Sequence, residues 1–192
     1  MFTGIIQSVG RIAAIEGGGQ DIRLRIETGK LPLDSVALGD SIATSGVCLT
    51  VTELPGDGYW ADVSPETLSL TTLGQKSVGD AVNLEPSLTL NTPLGGHLVS
   101  GHVDGVGRID SIVEDARFWR VSVEAPANLA RYIAVKGSIC VDGTSLTVNQ
   151  VTGLASNSRS FLKLGTRRYS VSMRWAVPLI WRWMLSPGTL SG

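Results

Sequence analysis

Cysteine and histidine are scarce, two of each in 192 residues, and none stands at metal-ligand spacing. A zinc site is therefore not expected. Cys48 and Cys140 lie far apart and read as free thiols, in keeping with a reducing cytoplasm. No apolar run approaches the roughly 18 residues of a membrane span. Met1-Phe2-Thr3-Gly4 has neither the basic start nor the apolar stretch of a signal peptide. Charge of one sign is also lacking: 16 basic against 17 acidic residues leave no nucleic-acid footprint. Helical periodicity is nearly absent, with short helices expected only near Pro65-Glu66-Thr67-Leu68 and Pro126 to Ala130.

What is present is a long repeat. Gly4-Ile5-Ile6-Gln7-Ser8-Val9-Gly10-Arg11-Ile12 returns as Gly101-His102-Val103-Asp104-Gly105-Val106-Gly107-Arg108-Ile109, at an offset of 97. Gly46-Val47-Cys48-Leu49-Thr50-Val51 returns as Gly143-Thr144-Ser145-Leu146-Thr147-Val148 at the same offset. A period of this length is a whole small domain, so two tandem domains are expected, residues 1–97 and 98–192. Ile22-Arg23-Leu24-Arg25-Ile26 and Trp119-Arg120-Val121-Ser122-Val123 alternate apolar and polar, as strands with one wet face do. The 23 glycines fall between such runs, where hairpins need them. The chain thus reads as all-β, a small closed barrel repeated once, with Pro86 to Gly96 as linker. Two copies of one domain point to two copies of one binding site.

Three segments carry a family resemblance: Met1-Phe2-Thr3-Gly4-Ile5-Ile6, Gly46-Val47-Cys48-Leu49-Thr50-Val51 and Gly95-Gly96-His97-Leu98-Val99-Ser100-Gly101-His102-Val103. In this order they resemble riboflavin synthase of the α-chain type, over residues 1 to about 151. The resemblance implies two six-stranded Greek-key barrels and a homotrimer joined by a C-terminal helix. It implies dismutation of two 6,7-dimethyl-8-ribityllumazine molecules to riboflavin and 5-amino-6-(D-ribitylamino)uracil, with no cofactor. One lumazine gives a four-carbon unit to the other, so each barrel has a substrate.

By the same resemblance, the first site uses Gly4-Ile5-Ile6, Cys48-Leu49-Thr50 and Asp62-Val63-Ser64-Pro65-Glu66-Thr67. The second uses Gly101-His102-Val103, Lys136 and Ser145-Leu146-Thr147. Backbone N–H and C=O groups at a barrel mouth suit the donor and acceptor pattern of a pteridine ring. The reaction needs a base for a ring methyl proton, and His102 is the candidate. It also needs a nucleophile toward the donor ring; Cys48 and Ser145 hold the same position in the two repeats, and Ser41 assists. Simpler roles stand beside these. His97, five residues from His102, reads as structural, Cys140 as a packing residue opposite Ala43, and Asp142-Gly143 as a strand-entry turn. Cys48 reads equally as core filler. A non-catalytic lumazine- or flavin-binding protein of the same fold is the alternative, and a structural β-barrel adaptor a third reading.

The correspondence stops near Val151. All 17 acidic residues lie in residues 1–151 and none in residues 152–192. Ordinary usage would place about four or five there. Three of five tryptophans fall within Trp175 to Trp183. Regrouping the codons by one base makes Trp175-Ala176 encode Gly opposite Gly79, and Trp181-Arg182 encode Glu or Ala opposite Glu85. A reading-frame slip near codon 153 is therefore expected, with the second barrel incomplete after about residue 152.

Overall fold

The computed structural model describes residues 1–18, 21–115, 118–153 and 160–167. The first repeat holds β1 (Ser8–Gly17), β2 (Ile22–Glu27), β3 (Ser41–Thr44), β4 (Val47–Thr50), β5 (Gly58–Val63), helix α1 (Pro65–Leu70) and β6 (Ala81–Pro86). The second holds β7 (Arg108–Asp115), β8 (Phe118–Ala125), helix α2 (Ala127–Ala130), β9 (Ser138–Val141), β10 (Thr144–Thr152) and β11 (Ser160–Arg167). Both helices fall where proline was expected to start them. Ser64 caps α1 by accepting from the Thr67 amide.

The first sheet runs β4-β3-β6-β1-β2-β5, and every neighbouring pair is antiparallel. It curls until its edges meet just beyond β4. There the Thr52 amide donates to the Trp60 carbonyl (2.8 Å) and the Trp60 amide to Glu53 (2.9 Å). Closure is this single bridge, not a full ladder. Alternation sets the core: Leu24 and Ile26 of β2 are buried with Ile12, Ile42, Leu49, Val63 and Leu84, while Arg23 and Arg25 face out to Asp62, Glu53 and Asp57. Val121, Val123, Ile139, Leu146 and Val148 form the equivalent core of the second repeat.

The duplication extends to irregularities. A bulge between Ile12 and Ala14 recurs between Ile109 and Ser111. The Arg11–Glu27 ion pair recurs as Arg108–Glu124, each 2.8 Å, although such exposed pairs add only about 0–1 kcal/mol.

The second sheet, β7-β8-β11-β10-β9, runs further than the sequence predicts. β11 lies beyond residue 152 yet pairs with both β8 and β10, so the expected stop at that point is corrected. Its register differs from the duplicated one. Ile22 faces Val63, but the counterpart of Ile22, Trp119, faces Thr166 rather than Ser160, six residues further along. β6 joins β1 to β3; the offset puts its counterpart at residues 178–183, outside the described residues, as is the tryptophan-rich stretch.

The two hairpin tips meet. Ser45 (φ 47°) and Gly46 (φ 85°) link β3 to β4, and Asp142 (φ 47°) and Gly143 (φ 84°) link β9 to β10. Positive φ at both turn residues is the geometry of the tightest β-hairpins. A Cβ on Gly46 would stand 2.7 Å from the Gly143 amide nitrogen, so no side chain fits there. Around this contact Phe2, Ala43, Val99 and Cys140 form a small buried cluster, with Cys48 at its rim. Phe2 and Val99 occupy equivalent repeat positions and exchange backbone hydrogen bonds of 2.6 and 2.9 Å. The repeats are therefore related about a local two-fold axis through this cluster.

Candidate functional site

The segments that lead into the two repeats cross over. The Ser145 amide donates to the Gly4 carbonyl (2.8 Å), and the Cys48 amide donates to the Gly101 carbonyl (2.9 Å). The sequence predicts Gly4 with Cys48 and Gly101 with Ser145; the structure exchanges them. Val103 confirms the crossing by packing against the first core, while Ile6 reaches Gly143. Both glycines are obligatory by geometry. Gly4 has φ +73° and a Cβ there would lie 2.6 Å from Ser145 Cβ. Gly101 has φ +78° and its Cβ would lie 2.7 Å from Cys48 Cβ.

Glu85 fixes the first crossing segment. Its side chain is 2% exposed and accepts from the Thr3 amide (2.6 Å), the Thr3 hydroxyl (2.6 Å) and the Gly4 amide (2.9 Å). Burial pushes its pKa up, and these hydrogen bonds oppose the rise. The Thr3 carbonyl in turn accepts from the His97 amide (2.9 Å). Gly96 permits that approach, since a Cβ there would meet the Thr3 oxygen at 2.2 Å.

The His97 ring then reaches Ser145, Nδ1 to Oγ. Of the two histidines, it is therefore His97 that contacts the predicted serine nucleophile. His102 stands at the position of Ile5, and both side chains are exposed. Each backbone amide is held by the hydroxyl two residues earlier, Ser100 for His102 (3.2 Å) and Thr3 for Ile5 (3.1 Å).

The remaining predicted residues divide by role. Cys48 and Ser145 are half-buried at equivalent strand positions, and Thr50 and Thr147 point outward two residues on. Ser41 is half-buried and faces Thr50 across the β3–β4 ladder. Leu49, Val63 and Leu146 put their side chains into the cores, so only their backbones remain for a ligand. Asp62 is paired with Arg23 at 3.1 Å, and Ser64 caps α1, whose Pro65, Glu66 and Thr67 form its first turn. Lys136 has φ 67° where the first repeat has Gly39 at φ 91°. A side chain in the left-handed region costs roughly 1–2 kcal/mol relative to glycine there. Cys140 is buried as expected, and burial pushes its thiol up to about 12.

The resemblance to riboflavin synthase also implies that the Met1-Phe2-Thr3 segment closes over the site, with Phe2 important there, whereas Glu85 and His97 did not figure among the predicted site residues. A weak signal existed: Thr3 and Ser100 are both hydroxyl residues at the 97 offset, and His97 follows Gly95-Gly96.

The lumazine binding domain family matches residues 3–87 and 100–169. The chain belongs to this lumazine-binding family. Its relatives include the riboflavin synthase of Photobacterium phosphoreum, 47% identical over 153 residues, covering 80% of this chain and 70% of that one. The riboflavin synthase of Brucella abortus is 46% identical, with 79% and 77% covered, and that of Bacillus subtilis 42% identical, with 79% and 70% covered. Among solved structures, LumP complexed with riboflavin is similar at a TM-score of 0.78 and 25% identity, covering 94% of this chain and 98% of that one. LumP complexed with 6,7-dimethyl-8-(1'-D-ribityl) lumazine is similar at a TM-score of 0.75 and 25% identity, with the same coverage.

Proposed function

We propose that the chain is a riboflavin synthase: it binds two molecules of 6,7-dimethyl-8-ribityllumazine and transfers a four-carbon unit between them. The products are riboflavin and 5-amino-6-(D-ribitylamino)uracil. The observation that carries this reading is the crossed pair of segments, which builds the same backbone geometry twice, once at Cys48 and once at Ser145. A reaction between two identical molecules needs two such places. The riboflavin synthases among its relatives support the same conclusion.

One place comprises Cys48, Thr50, the backbone of Gly101 to Val103, and the turn from Asp62 to Thr67. The other comprises Ser145, Thr147, Lys136 and the backbone of Gly4 to Ile6. His102 takes the methyl proton, Cys48 and Ser145 supply the nucleophiles, and Ser41 assists. The protein works as a cytoplasmic homotrimer, in which the site of one chain's first barrel faces the second barrel of a neighbour. Residues from about 153 onward derive from a slipped reading frame.

The test follows riboflavin absorbance after lumazine is added to this chain and to a version with the frame restored near codon 153. Riboflavin formed by the restored version supports the enzyme. Binding without riboflavin formation in both identifies a non-catalytic lumazine- or flavin-binding protein of the same fold. No binding in either sinks both readings in favour of an adaptor.

A further inference from the structure

Serine and cysteine at equivalent positions are not equivalent chemically. A thiol is a fair nucleophile near neutral pH, whereas a serine hydroxyl requires a base to take its proton as it attacks. Cys48 carries the thiol and Ser145 the hydroxyl. The His97 ring lies against the Ser145 hydroxyl, Nδ1 to Oγ. That contact is built from several sides. The His97 amide is fixed to the Thr3 carbonyl and the Ser145 amide to the Gly4 carbonyl, and Thr3 and Gly4 are both clamped by the buried Glu85. Three consecutive constraints on one short segment are more than a surface histidine needs.

We infer that His97 is the positioning residue of the second site, holding and deprotonating the Ser145 hydroxyl. The inference rests on the proposed synthase reading. With its proton on Nε2, the ring accepts at Nδ1 from the hydroxyl. As Ser145 Oγ bonds to an electrophilic carbon of the donor ring, a ring π pair moves onto a ring heteroatom and the hydroxyl proton passes to His97. No oxidant or reductant is needed, and the proton returns when the serine leaves. His97 thus acts through Ser145, leaving the methyl proton to His102.

Serine reactivity reads this pairing without any lumazine. The full chain is treated with diisopropyl fluorophosphate, and labelling is followed by mass spectrometry: the Oγ–P bond forms, fluoride leaves, and His97 takes the proton. Ser145 is expected to label ahead of the other serines. His97→Asn, which keeps a hydrogen-bonding group near Nδ1 but no useful base, is expected to slow labelling about 100-fold or more. Riboflavin affinity, read by fluorescence, should stay within about two-fold of the parent if only deprotonation is lost. Added imidazole should restore labelling of His97→Ala. Labelling of His97→Asn at the parent rate overturns the inference, as does a parent Ser145 no more reactive than other serines. If a variant no longer binds riboflavin, the parent's Ser145 selectivity decides alone. A failure of the frame-restored chain to form riboflavin, with His97-dependent labelling intact, would sink the synthase reading and leave this one standing.

Discussion

Replacing Asp142 by asparagine should stabilise the protein, and more so at high pH. Asp142 sits at the hairpin tip where the two repeats meet, 8% exposed, and its Oδ1 has no hydrogen-bond partner among the described residues. Burial pushes its pKa from 3.8 up to about 7, with Lys76 pulling weakly the other way. The sign follows from proton binding. Between about pH 4 and 7 the folded chain holds a proton that the unfolded chain has released. Stability is then highest below pH 4, falls as pH rises to 7, and stays low above it. At about 1.4 kcal/mol per pH unit, the full penalty at pH 8 is on the order of 4 kcal/mol. Asp142→Asn removes this slope while keeping the turn, because Asn-Gly is the dipeptide most at home in such a hairpin. The backbone carbonyl at this position still accepts from Asn83 Nδ2 (2.9 Å). Urea unfolding of parent and Asp142→Asn at pH 5 and pH 8 measures the effect. The gain at pH 8 should exceed the gain at pH 5 by about 2–3 kcal/mol. Equal gains at both values, or a loss at pH 8, would refute a buried, uncompensated carboxylate.

Other substitutions test the contacts between the repeats. Gly101→Ala forces a Cβ into the left-handed region, 2.7 Å from Cys48 Cβ and 2.8 Å from the Phe2 ring. It should cost about 2–4 kcal/mol by urea unfolding and weaken riboflavin binding, and an unchanged titration would exclude the crossed contact. Glu85→Ala strands three buried donors and should cost about 3–5 kcal/mol, whereas Glu85→Gln, which keeps an acceptor, should cost less. Tyr59→Phe removes a buried hydroxyl shared with Thr44 and should cost about 1–2 kcal/mol in the same assay.

Local structure was legible in the sequence where periodicity decides it. The alternation in Ile22 to Ile26 and Trp119 to Val123 marks β2 and β8, and Asp142-Gly143 marks its turn. The crossing of Gly4 and Gly101 was not legible, for a physical reason. A repeat identifies equivalent residues, but cis and exchanged pairings satisfy the same duplicated pattern, and only three-dimensional packing chooses between them. The contact of His97 with Ser145 was not legible either, because strand alternation does not hold across residues 97–102. That segment is irregular around Gly96 and Gly101, with Phe2–Val99 its only bridge among the described residues, so counting residues says nothing about direction. Glu85 hid in a strand, between buried Leu84 and Pro86, because a sequence does not show which carboxylates receive three donors.

The second repeat joins the sequence and the structure in one last prediction. Nothing in the duplication accounts for a six-residue displacement of β11 against β8, when the bulge, the ion pair and the hairpin tip all keep the 97 offset. The displacement begins in the same stretch where acidic residues cease. A frame slip near codon 153, as proposed above, would account for both, since it changes side chains without changing what came before. Restoring one base should return residue 160 to face Trp119, supply a Gly opposite Gly79, and allow a Glu opposite Glu85 near Ser100-Gly101. The first repeat closes its crossing segment with that same carboxylate on Thr3 and Gly4. The chain as it stands should therefore form little or no riboflavin, and the restored chain should form it as a trimer. Resequencing the region and comparing riboflavin formation by the two chains tests this directly. An intact frame, together with a trimeric and fully active product of this sequence, would show that the divergent tail builds the second barrel in its own way.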